Sequence, residues 1–134
     1  MNAIAKPRPP ISNRDFDFFY RGLSERRLLV QKCWECGRLR NPPSPMCAAC
    51  CSLAIEYVEC KGEGTVYSYT VHHHPALPGF STPHSIVLVE LDEGVRMIGA
   101  IADLGDPASV IGARVSIEWT RSDDVDSFRF VRNV

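Results

Sequence analysis

Four cysteines in two pairs are the residues of this chain best suited to chemistry. Cys33-Trp34-Glu35-Cys36 and Cys47-Ala48-Ala49-Cys50 each place two thiols two residues apart, with ten residues between the pairs. A short turn brings the sulfurs of one pair within reach of one ion, and the second pair completes a tetrahedron, the coordination that zinc takes. The ten-residue spacer is shorter than the commonest spacing of such sites. Four cysteine ligands leave no position for a substrate water, which marks a structural zinc over a catalytic one. Gly37 follows the first pair and suits a tight backbone. Cys51 holds the matching place after the second pair, and with a three-residue gap from Cys47 it competes with Cys50 as the fourth ligand. Free thiols, a disulfide or an iron site are the other states that these residues allow.

Histidines come next. His72, His73, His74 and His84 border a loop that holds Pro75, Pro78 and Pro83. In an extended strand His72 and His74 share a face and could share a metal. A histidine beside Cys60 could activate a nucleophile. The same residues equally suit contact with a partner or ligand, or a solvated loop stiffened by proline. No Ser-His-Asp set or acid/base pair can be argued from spacing. Gly62-x-Gly64 is too short for a phosphate loop and fits the bend into a strand.

Aromatic and basic residues suggest surfaces. Phe16, Phe19, Tyr20 and Leu23 fall at helical spacing, a face that either packs on the body or docks on another subunit. Tyr67 and Tyr69 share a face of an expected strand, where rings could stack nucleic-acid bases. Arg21, Arg26, Arg27, Lys32, Arg38 and Arg40 form the nearest basic patch. It could meet RNA phosphates or the 3′-phosphate of CoA, or could be a solvated face. The net charge of −1 gives no general attraction to nucleic acid, and Glu90, Asp92, Glu93, Asp103 and Asp106 disfavour a nucleic-acid groove in the second half.

The elements that must position these residues fall into three segments. The 134 residues, 45% apolar and 23% charged, are those of a soluble globular protein. Without an apolar signal core or a membrane-length apolar run, the expected compartment is the cytoplasm. Residues 1–27 are an arm with Pro7, Pro9 and Pro10, then a short helix. Ser12-Asn13-Arg14-Asp15 resembles its capping box and Gly22 its end. Residues 28–60 are the metal unit: a strand at 28–32, its hairpin return at 38–40, a proline loop at 41–45 and a lead-out at 53–59. So small a unit cannot bury enough surface to hold itself, so the metal supplies folding energy, and its core is expected to be separate from the rest. Residues 61–134 read as five strands, at 65–71, 85–91, 95–101, 115–119 and 128–131. Turns fall at 61–64 and 92–94, and a helical turn opens at Asp106-Pro107. The strand at 85–91 reads as buried on both faces or nearly so. Five short strands with a helical insert before the fourth suggest a Greek-key barrel of the OB type.

The order of these parts, with Gly-x-Gly-x-Val-x-Ser-Tyr-Thr-Val standing at Gly62 to Val71, resembles the acyl-CoA-associated zinc-ribbon/OB-fold family, long known as a domain of unknown function. The resemblance covers about residues 13–131. It implies a mainly β chain: a short N-terminal helix, a rubredoxin-like zinc ribbon, then a five-stranded OB-fold barrel. It implies structural zinc on Cys33, Cys36, Cys47 and Cys50. It also implies a non-catalytic accessory subunit, one that a CoA-thioester enzyme requires for activity. The implied partner is a thiolase-fold subunit, such as a thiolase, acyltransferase or aldolase, with a CoA thioester at the interface and neither nucleic acid nor membrane involved. Partner or acyl-CoA contacts are expected at Phe16, Phe19, Tyr20, His72, His74, Phe80 and His84. Two residues depart from the family pattern: Ala48 stands where proline is frequent and Cys51 where glycine is common. The alternative is a nucleic-acid-binding zinc-ribbon/OB module.

Overall fold

The computed structural model describes residues 14–75, 82–122 and 124–133. Phe80 and the first half of the expected capping box lie outside them. Helix α1 (Asp17–Ser24) starts at Phe16, which makes no side-chain cap. Its end is a left-handed cap: Arg26 has φ 58°, and the amides of Arg27 and Arg26 donate to the carbonyls of Gly22 (2.8 Å) and Leu23 (3.1 Å). Gly22 thus lies inside the helix, not at its end. A Cβ there would sit 2.7 Å from the Arg27 carbonyl oxygen, so glycine is needed for close approach.

Strands β1 (Leu28–Cys33), β2 (Leu39–Arg40) and β3 (Ile55–Cys60) form an antiparallel sheet in the order β2-β1-β3. Apolar residues of β1 alternate inward, so Leu28 and Val30 are fully buried. The ribbon's cysteine turns hang from the far end of this sheet.

Strands β4 (Glu63–His72), β5 (His84–Leu91), β6 (Arg96–Ala100), β7 (Arg114–Ser122) and β8 (Val125–Arg132) form the second sheet, ordered β6-β5-β4-β7-β8. A parallel bridge from Ile101 to Phe130 joins its two edges into the expected five-stranded barrel. The 3-10 turn η1 (Pro107–Ser109) precedes the fourth barrel strand, and Asp106 caps it by accepting from the Ala108 amide at 3.1 Å. Gly94 (φ 92°) makes the β5–β6 turn, with its amide on the Leu91 carbonyl.

Three expectations change. The turn before β4 is shorter, because Gly64 is already paired with Leu91 and Val115. Strand β5 is not covered on both faces: Val87, Val89 and Leu91 point inward, Ile86 and Leu88 stay half-buried, and Glu90 is exposed. The two halves do not have separate cores. Leu23 of α1, Leu28 and Val30 of β1 and Cys60 of β3 join Val66, Val89, Val115 and Phe130 in one cluster. The reason is geometric: the inward face of β1 and the apolar face of α1 cover the barrel, so the ribbon sheet is also a barrel wall.

Candidate functional site

Strand β1 delivers Cys33, and the chain then makes the same turn twice. The Gly37 amide donates to the Cys33 carbonyl and the Cys51 amide to the Cys47 carbonyl, both at 2.9 Å. Gly37 and Cys51 are left-handed, with φ 78° and 63°. Cys33 and Cys47 are buried while Cys36 and Cys50 are exposed, and all four sulfurs lie within 4.8 Å of one another. The closest approaches are Cys33 to Cys50 at 3.5 Å and Cys36 to Cys47 at 3.6 Å. Bonds of about 2.3 Å to a tetrahedral zinc put sulfurs roughly 3.8 Å apart, whereas a disulfide needs about 2.05 Å. The residues therefore fit zinc. Cys50, not Cys51, completes the set, and no ligand position is left for catalysis.

The local backbone dipoles favour two of the thiolates, the form that binds a cation. Backbone amides of Cys50 and Ala49 lower the Cys47 thiol to about 6, and the Cys36 amide chiefly lowers that of Cys33. Cys50 goes the other way. The Ser52 amide pulls it down, but hydrogen bonds to Cys33, Cys47 and Cys36, together with burial, push it up to about 12. Four thiolates without a cation repel one another; a central dication removes that conflict.

The other sequence candidates are dispersed. His72 and His84 are the last cross-strand pair of the β4–β5 hairpin, and the His72 ring meets the Pro75 carbonyl. Among the described residues, the cysteines form the one group placed to hold a metal, and no histidine joins it. Cys60 lies in the core opposite Leu28. Burial and the charges of Glu93 and Glu59 push its thiol up to about 12, so it is no nucleophile at neutral pH. A bulge between Val66 and Ser68 turns Tyr67 outward, where Arg96 covers it at 3.8 Å, while Tyr69 packs against the core. The expected stacking pair is therefore split. The basic patch is also broken up: Arg27 pairs with Glu59, Lys32 with Glu56, and Arg40 turns inward to Gln31.

What the fold does assemble is an apolar groove of about 430 Å³ on the outer face of β5 and β6. Phe16, Phe19, Asn41, Pro42, Leu88, Arg96, Met97 and Ile98 line it. Phe19 and Tyr20 also pack against the core, leaving Phe16 as the helix aromatic given over to the groove wall. A shallower groove beside Ile86 and Thr70 shares Leu88 and Ile98. Sequence reasoning passes over Leu88, Ile98 and Asn41, since an apolar run cannot say which of its faces stays uncovered. It also passes over Gln31, although a polar residue directly after the run Leu28-Leu29-Val30 and within the same strand is a visible signal.

Residues 21–56 match the model of a ChsH2 rubredoxin-like zinc ribbon domain, and residues 57–120 that of a ChsH2 C-terminal OB-fold domain. A chain of a solved structure described as an Ltp2-ChsH2(DUF35) aldolase is 38% identical, with a TM-score of 0.84 over 93% of this chain and 99% of that one. A probable enoyl-CoA hydratase alpha subunit of Thermomonospora curvata is 42% identical across 88% of this chain, which spans only 37% of that protein's length. A DUF35 domain-containing scaffold protein of Methanocaldococcus jannaschii is 31% identical, over 76% of this chain and 74% of its own length.

Proposed function

Because the chain belongs to the DUF35 family, carrying its zinc ribbon and OB-fold in order, we propose that it is a non-catalytic accessory subunit of an enzyme that acts on a CoA thioester. The partner in this reading is a thiolase-fold protein in the cytoplasm. It supplies the chemistry, while this chain supplies a docking surface and part of the acyl-CoA path. Relatives named as a hydratase alpha subunit and as part of an aldolase support a CoA-thioester partner.

One observation carries the division of labour. The groove beside Phe16 is an apolar opening on which several side chains converge, while four thiols are gathered at a closed metal site and Cys60 lies in the core. Phe16 and Phe19 are the proposed anchors, since a few aromatic side chains often dominate an interface; Tyr20, behind them, supports their position. His72, His74 and His84 at the end of the β4–β5 hairpin are the proposed contacts of the CoA thioester, together with Phe80, which lies between them in sequence.

The test is co-expression with a candidate thiolase-fold partner. The two should co-elute, and the partner alone should be poorly soluble or inactive on its thioester. Phe16→Ala is the diagnostic variant, because Phe19 also serves the core. It should weaken the complex about tenfold or more and leave the isolated chain's melting temperature nearly unchanged. A partner fully soluble and active alone, with no co-elution, defeats the reading.

A further inference from the structure

The zinc site and the apolar groove are the two ends of one segment. Residues 41–47 run from the groove wall, formed by Asn41 and Pro42, to Cys47, a buried metal ligand. Pro42, Pro43 and Pro45 hold this segment's φ angles, so it moves as a stiff strap.

Its middle is tied to a buried side chain. Gln31, 3% exposed, is the buried polar residue among the described residues. Its carbonyl oxygen accepts from Arg40 Nε at 2.7 Å and from the Ser44 amide at 2.9 Å. Arg40 Nη2 then donates to the Ser44 carbonyl at 3.0 Å. Two fasteners complete it. The Cys47 amide donates to the Ser52 carbonyl at 2.9 Å. At the other end, Asn41 Nδ2 donates to the Arg96 carbonyl of β6 at 3.0 Å. A buried amide with this many partners is costly to leave unsatisfied, so the network has one well-fastened arrangement.

From this geometry we infer that zinc occupancy sets the shape of the groove, with Gln31 and Arg40 as the positioning residues that carry the metal's constraint along residues 41–47 to Asn41 and Pro42. With Cys47 held by the ion, the strap is pinned at its far end and Pro42 stands against Leu88 and Ile98. With the ion gone, Cys47 has only its two backbone bonds, to Ser52 and from Cys51, the strap pivots about Ser44, and the groove loses one wall. The coupling is a property of the isolated chain and needs no partner.

The experiment is methyl NMR on the full-length zinc-loaded chain. The methyl groups of Leu88, Met97 and Ile98 report the groove, and those of Val87 and Val89 report the core beneath it. Removing zinc with EDTA should shift or broaden the groove methyls by more than a linewidth while the core methyls stay in place. Gln31→Leu keeps the volume but removes the acceptor. It should reproduce the groove shifts with about one zinc per chain still bound, and should abolish protection of the Ser44 amide. Asn41→Ala, at an exposed hydrogen bond, cuts only the last link. It should leave zinc and Ser44 protection intact and make the groove methyls insensitive to EDTA. Groove methyls unmoved by zinc removal overturn the coupling. So do groove methyls that still respond fully in Asn41→Ala, for then the signal does not travel along the strap.

Discussion

The barrel and the ribbon hold short strands together by different means. In the barrel, Val66, Val87, Val89, Leu91, Val115 and Phe130 are all at most 1% exposed, and Phe128 and Phe130 meet edge-to-face at 5.6 Å. At the cysteine end of the ribbon, the buried side chains are Cys33, Cys47 and the amide of Gln31, while Trp34, Met46 and Leu53 stand 66%, 48% and 71% exposed. Where there is too little apolar surface to bury, ligation and a satisfied polar network do the work of a core. The dividing line does not fall between the two sheets. It runs across β1, whose Leu28 and Val30 belong to the barrel's core and whose Cys33 belongs to the metal.

Metal loss should give the largest effect. Structural zinc contributes on the order of 10 kcal/mol in small zinc domains, more than any one side chain. Elemental analysis should find roughly one zinc per chain, and Cys36→Ser should abolish it and erase amide protection across residues 33–54, with β4–β8 still protected in hydrogen exchange. Acid should act in the same sense. The Cys47 thiol is lowered to about 6, so its stabilising thiolate persists below the ordinary thiol range and is lost only as pH falls through about 6. Metal retention should therefore fail on acidification, not on moderate alkalinisation. Loss of protection in β4–β8 together with the ribbon would break the contrast between the two regions.

Leu28→Ala tests where the line falls. The residue is fully buried among barrel and helix side chains, so truncation should cost about 2–5 kcal/mol through lost burial and a cavity. Zinc should stay bound. Urea unfolding followed by far-ultraviolet circular dichroism and by a probe on β8 should move to lower denaturant together. A shift in the ribbon alone would restore two separate cores.

How far the sequence could be read follows the same contrast. Zinc ligation is a local property of residue type and spacing, so Cys33, Cys36, Cys47 and Cys50 were legible. Cys50 and Cys51 were separable only once the turn geometry placed one sulfur in the cluster. Alternation made the barrel strands legible, and Asp106-Pro107 announced η1. What stayed hidden depends on tertiary placement: which element covers Leu28 and Val30, which face of β5 is left open beside Leu88, and the bulge that separates Tyr67 from Tyr69.

The smallest effect concerns the left-handed position that follows each cysteine pair. Gly37 and Cys51 do the same job, each donating its amide to the first ligand of its pair from a left-handed backbone. A residue with a Cβ in that conformation costs about 1–2 kcal/mol, and glycine returns part of the difference through its larger unfolded-state entropy. Cys51→Gly should therefore stabilise the zinc-loaded chain by about 1 kcal/mol or somewhat less, read as a rise in denaturation midpoint with zinc stoichiometry unchanged. Gly37→Ala should destabilise by a similar amount, since its backbone is left-handed although an added Cβ would meet only the Lys32 side chain, at an ordinary 3.9 Å. The pair sharpens the contrast. If strain at Cys51 is released in the metal-bound state, the metal is what holds the turn in place, and the same substitution in EDTA-treated protein should change little. Loss of zinc in Cys51→Gly would mean instead that the Cys51 thiol is a ligand, which the sulfur positions exclude.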